Sequence, residues 1–109
     1  MRGDVWWADV EGVKPVVVLS GDEPGEIRAM FIVEPARADI EGVCLELPVG
    51  QAEGLSDPGA VRVALPSAVA FPCSWLVTLR KEDLTRRAGA LSSAKLEELG
   101  RMMALAGLE

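Results

Sequence analysis

Hydrophobic and polar positions alternate from the start of the chain. In Asp4-Val5-Trp6-Trp7-Ala8-Asp9-Val10, one face of an extended strand carries Val5, Trp7 and Asp9, and the other carries Trp6, Ala8 and Val10. The next block, Lys14-Pro15-Val16-Val17-Val18-Leu19-Ser20, does not alternate: it is a continuous β-branched run led by a proline. That pattern predicts a strand covered on both faces. Only Glu11-Gly12-Val13 separates the two blocks, which predicts a hairpin. Further strand-like pieces follow. Ala29 to Glu34 is mostly apolar, Val43, Leu45 and Leu47 alternate with Cys44 and Glu46, and Val61, Val63 and Leu65 alternate with Arg62 and Ala64. Phe71 to Leu79 contains Trp75, Leu76 and Val77. Turn residues punctuate these pieces at Gly21 to Gly25, Pro35, Gly42, Pro48 to Gly50, Asp57-Pro58-Gly59, Pro66 and Pro72.

The period changes in the last quarter. Arg80 to Leu84 reads as a short helical turn before a final strand. Leu96, Leu99, Met103 and Ala106 then recur at helical spacing behind Ser92 or Ser93 as N-cap, with Gly107 as the stop. Glu97 and Arg101 stand in the favourable i,i+4 order, and Met102-Met103 reads as core. Five to seven short strands followed by one helix predict a mainly β protein, a small barrel or sandwich with a single C-terminal α-helix.

Composition narrows the chemistry more than the fold. A chain of 109 residues makes one domain, residues 1–109, with a real core. No apolar run reaches the length of a membrane span, and Met1-Arg2-Gly3-Asp4 leads into a strand rather than a signal peptide, so the cytoplasm is the expected location. Cys44 and Cys73 could pair, but in a cytosolic chain the expectation is plain buried thiols. The chain has no His, which excludes a Ser-His-Asp triad, a Cys-His pair and the usual zinc sites, and no Tyr. No cofactor loop or metal motif is present, so chemistry must come from carboxylates, Lys/Arg, Ser/Thr or the substrate itself. The net charge of −6 works against polyanion binding, which puts the burden on local cations. The densest cluster is Arg80-Lys81 with Arg86-Arg87, either a solvated edge or a phosphate-binding patch.

The two opening blocks, together with the closing segment Leu84-Thr85-Arg86-Arg87-Ala88-Gly89-Ala90-Leu91-Ser92-Ser93-Ala94-Lys95-Leu96-Glu97-Glu98-Leu99, resemble the MazF/PemK family of toxins. The resemblance implies a CcdB/PemK-like, SH3-like barrel with a terminal helix. It also implies the toxin of a type II toxin–antitoxin system, a sequence-specific mRNA interferase that cleaves single-stranded RNA without a metal or cofactor. The partners it implies are RNA, a cognate antitoxin protein and a second copy of the chain in a homodimer, with no membrane.

In that family the substrate's 2′-hydroxyl attacks the adjacent phosphate, so a base, an acid and cations are needed. Lys14 occupies the basic position before the proline of the second strand, where many members have Arg. The hydroxyl of a Pro-Leu-Thr-Ser-like turn is replaced by Arg37 in Glu34-Pro35-Ala36-Arg37-Ala38-Asp39. An Asp-Gln-x-Arg-like stretch is absent at Ser74-Trp75-Leu76-Val77, and the first hairpin is shortened. The expectation is a rebuilt site: Glu34 as base, Lys14 and Arg37 on the phosphate, Trp75 as a stacking surface, and Arg80 and Lys81 as further RNA contacts. The alternatives are a catalytically degenerate binding module, and a CcdB-like toxin that acts on gyrase through the C-terminal helix.

Overall fold

The computed structural model describes residues 2–20, 25–37, 39, 42–65 and 76–108. Seven strands are present among them: β1 (Asp4–Asp9), β2 (Val13–Ser20), β3 (Ile27–Phe31), β4 (Cys44–Val49), β5 (Gly59–Ala64), β6 (Leu76–Leu79) and β7 (Leu84–Ala90). One helix, α1 (Ser93–Leu105), follows. Short 3-10 turns at Gln51–Glu53 and Lys81–Asp83 precede β5 and β7. The turn expected between Arg80 and Leu84 is the second of these.

Every strand pairing is antiparallel. Five strands form one sheet in the order β6-β3-β2-β1-β7, and β4 and β5 form a second ribbon. The β1–β2 hairpin closes through residues 10–12, where Gly12 takes φ +115, a region that only glycine enters without strain. At the open end of the sheet, Val33 bridges to Ala60 and ties the segment after β3 to the ribbon.

The side-chain pattern explains why the sheet is covered on both sides. Val5, Val17, Leu19 and Met30 join Leu47, Val49, Val61 and Val63 of the ribbon and Leu99, Met102 and Met103 of α1 in the main core. Ala8, Val16, Val18, Ile27, Ala29 and Leu79 form a second core on the other face, with Trp6 and Val10 packed against it. The alternation of β1 and the unbroken run of β2 are therefore both accounted for.

The ribbon and α1 are locked by a buried ion pair. Glu53 is 2% exposed, and Lys95 Nζ lies 3.0 Å from both of its carboxylate oxygens. The same ammonium donates to the Pro48 carbonyl, and the Gly50 N–H donates to Glu53. A carboxylate this deep requires such partners. The 3-10 turn reaches β7 only because both contact positions lack a Cβ: one on Gly54 would lie 2.0 Å from the Ala88 carbonyl oxygen, and one on Gly89 would lie 2.3 Å from that of Glu53.

Helix α1 begins as read, with the Ser92 hydroxyl accepting the Lys95 N–H at 3.2 Å, and it ends at Gly107 with φ +75. Arg101 pairs with Glu98 one turn back rather than with Glu97. Either glutamate is within helical reach, and Glu98 at i,i+3 is the one engaged. A second correction concerns Cys44, which is disulfide-bonded rather than a plain thiol. The thiol expectation rested on compartment chemistry, which says nothing of the side chains a fold brings together. Cys73 and the turn residues Gly21 to Pro24, Pro66 and Pro72 lie outside the described residues.

Candidate functional site

The concave surface of the molecule lies where strand ends of the sheet meet the β4–β5 connection. Trp7 and Pro15 face each other in register on β1 and β2. Ile32, Val33 and Glu34 continue from β3, held by the Ile32 N–H on the Pro15 carbonyl at 3.0 Å and by the Val33–Ala60 bridge. Residues 55–59 supply the opposite wall. Together these residues enclose a cleft of about 340 Å³. A second hollow of about 330 Å³, lined by Lys14, Pro15, Phe31, Ile32 and Val33, adjoins it. Pro15, Ile32 and Val33 line both, while Trp7 packs against the core on one face of the sheet and Phe31 against the core on the other, where Lys14 is the cross-strand neighbour of Ala8.

Lys14 is exposed, with its ammonium 5.6 Å from the centroid of the Phe31 ring. This cation–π contact steers the side chain toward the hollow while leaving its donors to solvent. Glu34 lines the cleft. Arg37 approaches it at 3.7 Å, and the two side chains are 91% and 85% exposed. An ion pair so open contributes little to stability and yields readily to a ligand. Glu34 thus borders the cleft with Arg37 beside it, and Lys14 borders the adjoining hollow.

Arg80 and Lys81 sit elsewhere. Arg80 caps the 3-10 turn before β7 and Lys81 is its first residue; the Arg80 N–H donates to Asp83 Oδ2, and neither residue lines the cleft or the hollow. Trp75 lies outside the described residues.

Sequence reasoning gave no site role to three residues of the cleft wall: Trp7, Ser56 and Asp57. Trp7 forms part of the cleft wall, and the Arg86 guanidinium lies 5.9 Å from the centroid of its indole. The two residues are cross-strand neighbours on β1 and β7, and Thr85 Oγ1 donates to the Trp7 carbonyl. Asp57 and Ser56 line the opposite wall. Arg86 stood out in the sequence as part of a basic cluster, either a solvated edge or a phosphate-binding patch, and its partner is unreadable without knowing that the first and last strands pair. Asp57-Pro58-Gly59 carried a turn signal, and that signal hid its second role.

Chemically, the cleft and the adjoining hollow offer two carboxylates and cations at their margins. The carboxylates are acceptor-only when ionised, suited to taking a proton or a base amino group. Lys14 presents a compact point charge, whereas the arginines present planar forks matched to phosphate oxygens. No cluster of potential metal ligands occurs among the described residues. No helix among them is long and apolar enough to cross a membrane.

A curled antiparallel sheet closed by a ribbon and one terminal helix is the fold of small β-barrel toxins. Solved structures carry it with little sequence in common. An endoribonuclease from a mycobacterial species, in complex with its cognate antitoxin, superposes with a TM-score of 0.65 at 19% identity, over 100% of this chain and 94% of that one. The Mycobacterium tuberculosis toxin MazF-mt6 gives a TM-score of 0.68 at 19% identity, over 97% and 98%. No curated protein matches the sequence significantly. Residues 1–106 match the family of PemK-like, MazF-like toxins of type II toxin–antitoxin systems, and the chain belongs to that family.

Proposed function

We propose that this toxin is a metal-independent, sequence-specific endoribonuclease acting on single-stranded RNA, and that a cognate antitoxin protein restrains it. What supports the reading is the family of the chain together with Glu34 on the cleft, Arg37 3.7 Å from it and Lys14 on the adjoining hollow, a carboxylate and two cations of the kind phosphodiester cleavage needs. The similar mycobacterial endoribonuclease bound to its antitoxin supports both the activity and the partner.

In this mechanism the Glu34 carboxylate takes the proton of a 2′-hydroxyl, and the oxygen attacks the adjacent phosphorus. Charge builds on the non-bridging oxygens, where Lys14 and Arg37 stabilise it. The 5′-oxygen leaves with a proton, for which the Lys14 ammonium, on the adjoining hollow, is the acid. The products carry a 2′,3′-cyclic phosphate and a 5′-hydroxyl. Trp7 and Trp75 offer stacking faces for bases, while Arg80, Lys81 and Arg86 hold phosphates of flanking nucleotides. The working form is a homodimer in the cytoplasm, with the clefts of two copies bordering a shared RNA path.

The test is incubation of the purified protein with a long mixed-sequence RNA in EDTA, followed by mapping of 5′-hydroxyl ends. Cleavage at a recurring short motif is expected. An intact RNA would leave the barrel as a binding module without catalysis.

A further inference from the structure

The loop that carries Glu34 and Arg37 is held by two side chains that touch neither cleft nor hollow. Glu46 on β4 and Arg62 on β5 are cross-strand neighbours and form an ion pair at 3.1 Å, both largely buried. Neither uses its whole hydrogen-bonding capacity on the other. The Glu46 carboxylate accepts the Ala36 N–H, at 3.2 Å through Oε1 and 3.1 Å through Oε2. The Arg62 guanidinium donates to the Glu34 main-chain carbonyl at 2.7 Å. The pair therefore grips the loop at both ends of the tripeptide Glu34-Pro35-Ala36, just past the point where Val33 bridges to Ala60.

The consequence follows from exposure. The Glu34 and Arg37 side chains are almost wholly in solvent, so no packing fixes them. Their position is set by the backbone beneath, and that backbone is set by Glu46 and Arg62. We infer that the Glu46–Arg62 pair is a positioning clamp for the cleavage site, holding the base and the phosphate-binding arginine in register with Lys14. The inference rests on the ribonuclease reading of the cleft. The clamp explains how a site on a loop reaches the placement that catalysis requires, where a displacement of about 1 Å costs on the order of a hundredfold in rate.

The chemistry of the two groups supplies a variant that separates clamping from folding. In the exchanged protein, Glu46→Arg with Arg62→Glu, the cross-strand attraction survives. A guanidinium at position 46 cannot accept the Ala36 N–H, and a carboxylate at position 62 cannot donate to the Glu34 carbonyl. The experiment measures Ala36 amide exchange, thermal unfolding and RNA-cleavage kinetics of the unaltered and exchanged proteins, each with and without Glu34→Gln.

In the unaltered protein the Ala36 amide should be protected by about tenfold or more over its intrinsic rate. Exchange of the charges should abolish that protection while leaving the melting temperature nearly unchanged. The value of kcat should fall by about tenfold or more. In the Glu34→Gln background the same exchange should cost kcat clearly less than in the unaltered one, because only Arg37 is left to position. The clamp is overturned by an unprotected Ala36 amide in the unaltered protein, by full activity in the exchanged one, or by losses that multiply in the Glu34→Gln background. Should the exchanged protein fail to fold, Glu46→Gln, which removes the charge and one acceptor oxygen, is read by the same criteria. An unaltered protein that protects Ala36 but leaves RNA intact overturns the ribonuclease reading and the catalytic role of the clamp together, which distinguishes that failure from an unprotected loop in an active enzyme.

Discussion

Trp7 and Arg86 face each other across β1 and β7, with the guanidinium 5.9 Å from the centroid of the indole. The stack joins the first strand of the chain to the last and sets a delocalised cation beside the cleft that Trp7 lines. Stacking leaves the in-plane donors of the guanidinium free for phosphate oxygens. Replacing Arg86 by Ala should therefore weaken binding of an uncleavable single-stranded oligonucleotide. The plot of log Kd against log salt concentration should lose a slope of about 0.7, the amount expected for one phosphate contact on a single strand. Fluorescence anisotropy across a salt series measures both.

Lys14 and Arg37 carry charge into the site without contributing to the fold. Arg37→Ala removes an ion pair whose side chains are 91% and 85% exposed, and the unfolding free energy should change by less than about 0.5 kcal/mol. Cleavage should nevertheless slow by the equivalent of about 1–3 kcal/mol of transition-state stabilisation, as it should for Lys14→Ala. Urea denaturation beside single-turnover kinetics separates the two effects.

The reverse pattern is expected at Lys95. Lys95→Met leaves the Glu53 carboxylate, 2% exposed, with the Gly50 N–H but without its cation. A buried charge stripped of its partner costs about 3 kcal/mol. The midpoint of urea denaturation should fall accordingly, while kcat at a temperature well below the transition should hold, because Lys95 joins the ribbon to α1 and lines no part of the cleft.

The core supplies a third kind of outcome. Leu99 is fully buried between α1 and both β layers. Leu99→Ala should destabilise the protein by about 2–5 kcal/mol, the transfer cost of the lost carbons plus that of the cavity. Calorimetry reads this as a fall in melting temperature without a new transition.

These contrasts parallel what was legible in the sequence. Local periodicity identified β1, β2 and α1 because each element's burial follows its own spacing: Val5 and Trp7 against Trp6 and Ala8, Val16 and Val18 against Val17 and Leu19, Leu99 and Met103 behind the Ser92 cap. Lys14, Glu34 and Arg37 were singled out through resemblance of the flanking segments to a family; Glu34 lines the cleft with Arg37 beside it, and Lys14 lines the adjoining hollow. Long-range pairing was not legible. The Trp7–Arg86 stack, the Glu53–Lys95 pair and the Glu46–Arg62 grip each join residues far apart in the chain, and no periodicity records such a meeting. Asp57 and Ser56 were concealed for a different reason: a turn signal explains their presence fully until the fold bends that turn over the cleft.

Lys14, Glu34 and Arg37 are the residues proposed to cut RNA in this toxin. The most direct measurement compares 5′-hydroxyl ends generated on one long RNA, in EDTA, by the unaltered protein and by the triple variant Lys14→Ala/Glu34→Gln/Arg37→Ala, after circular dichroism has shown that both are folded. The account predicts ends at a recurring motif with the unaltered protein and none above background with the variant. Equal cleavage by the two proteins would contradict the assignment of the site, and intact RNA with both would contradict the activity itself.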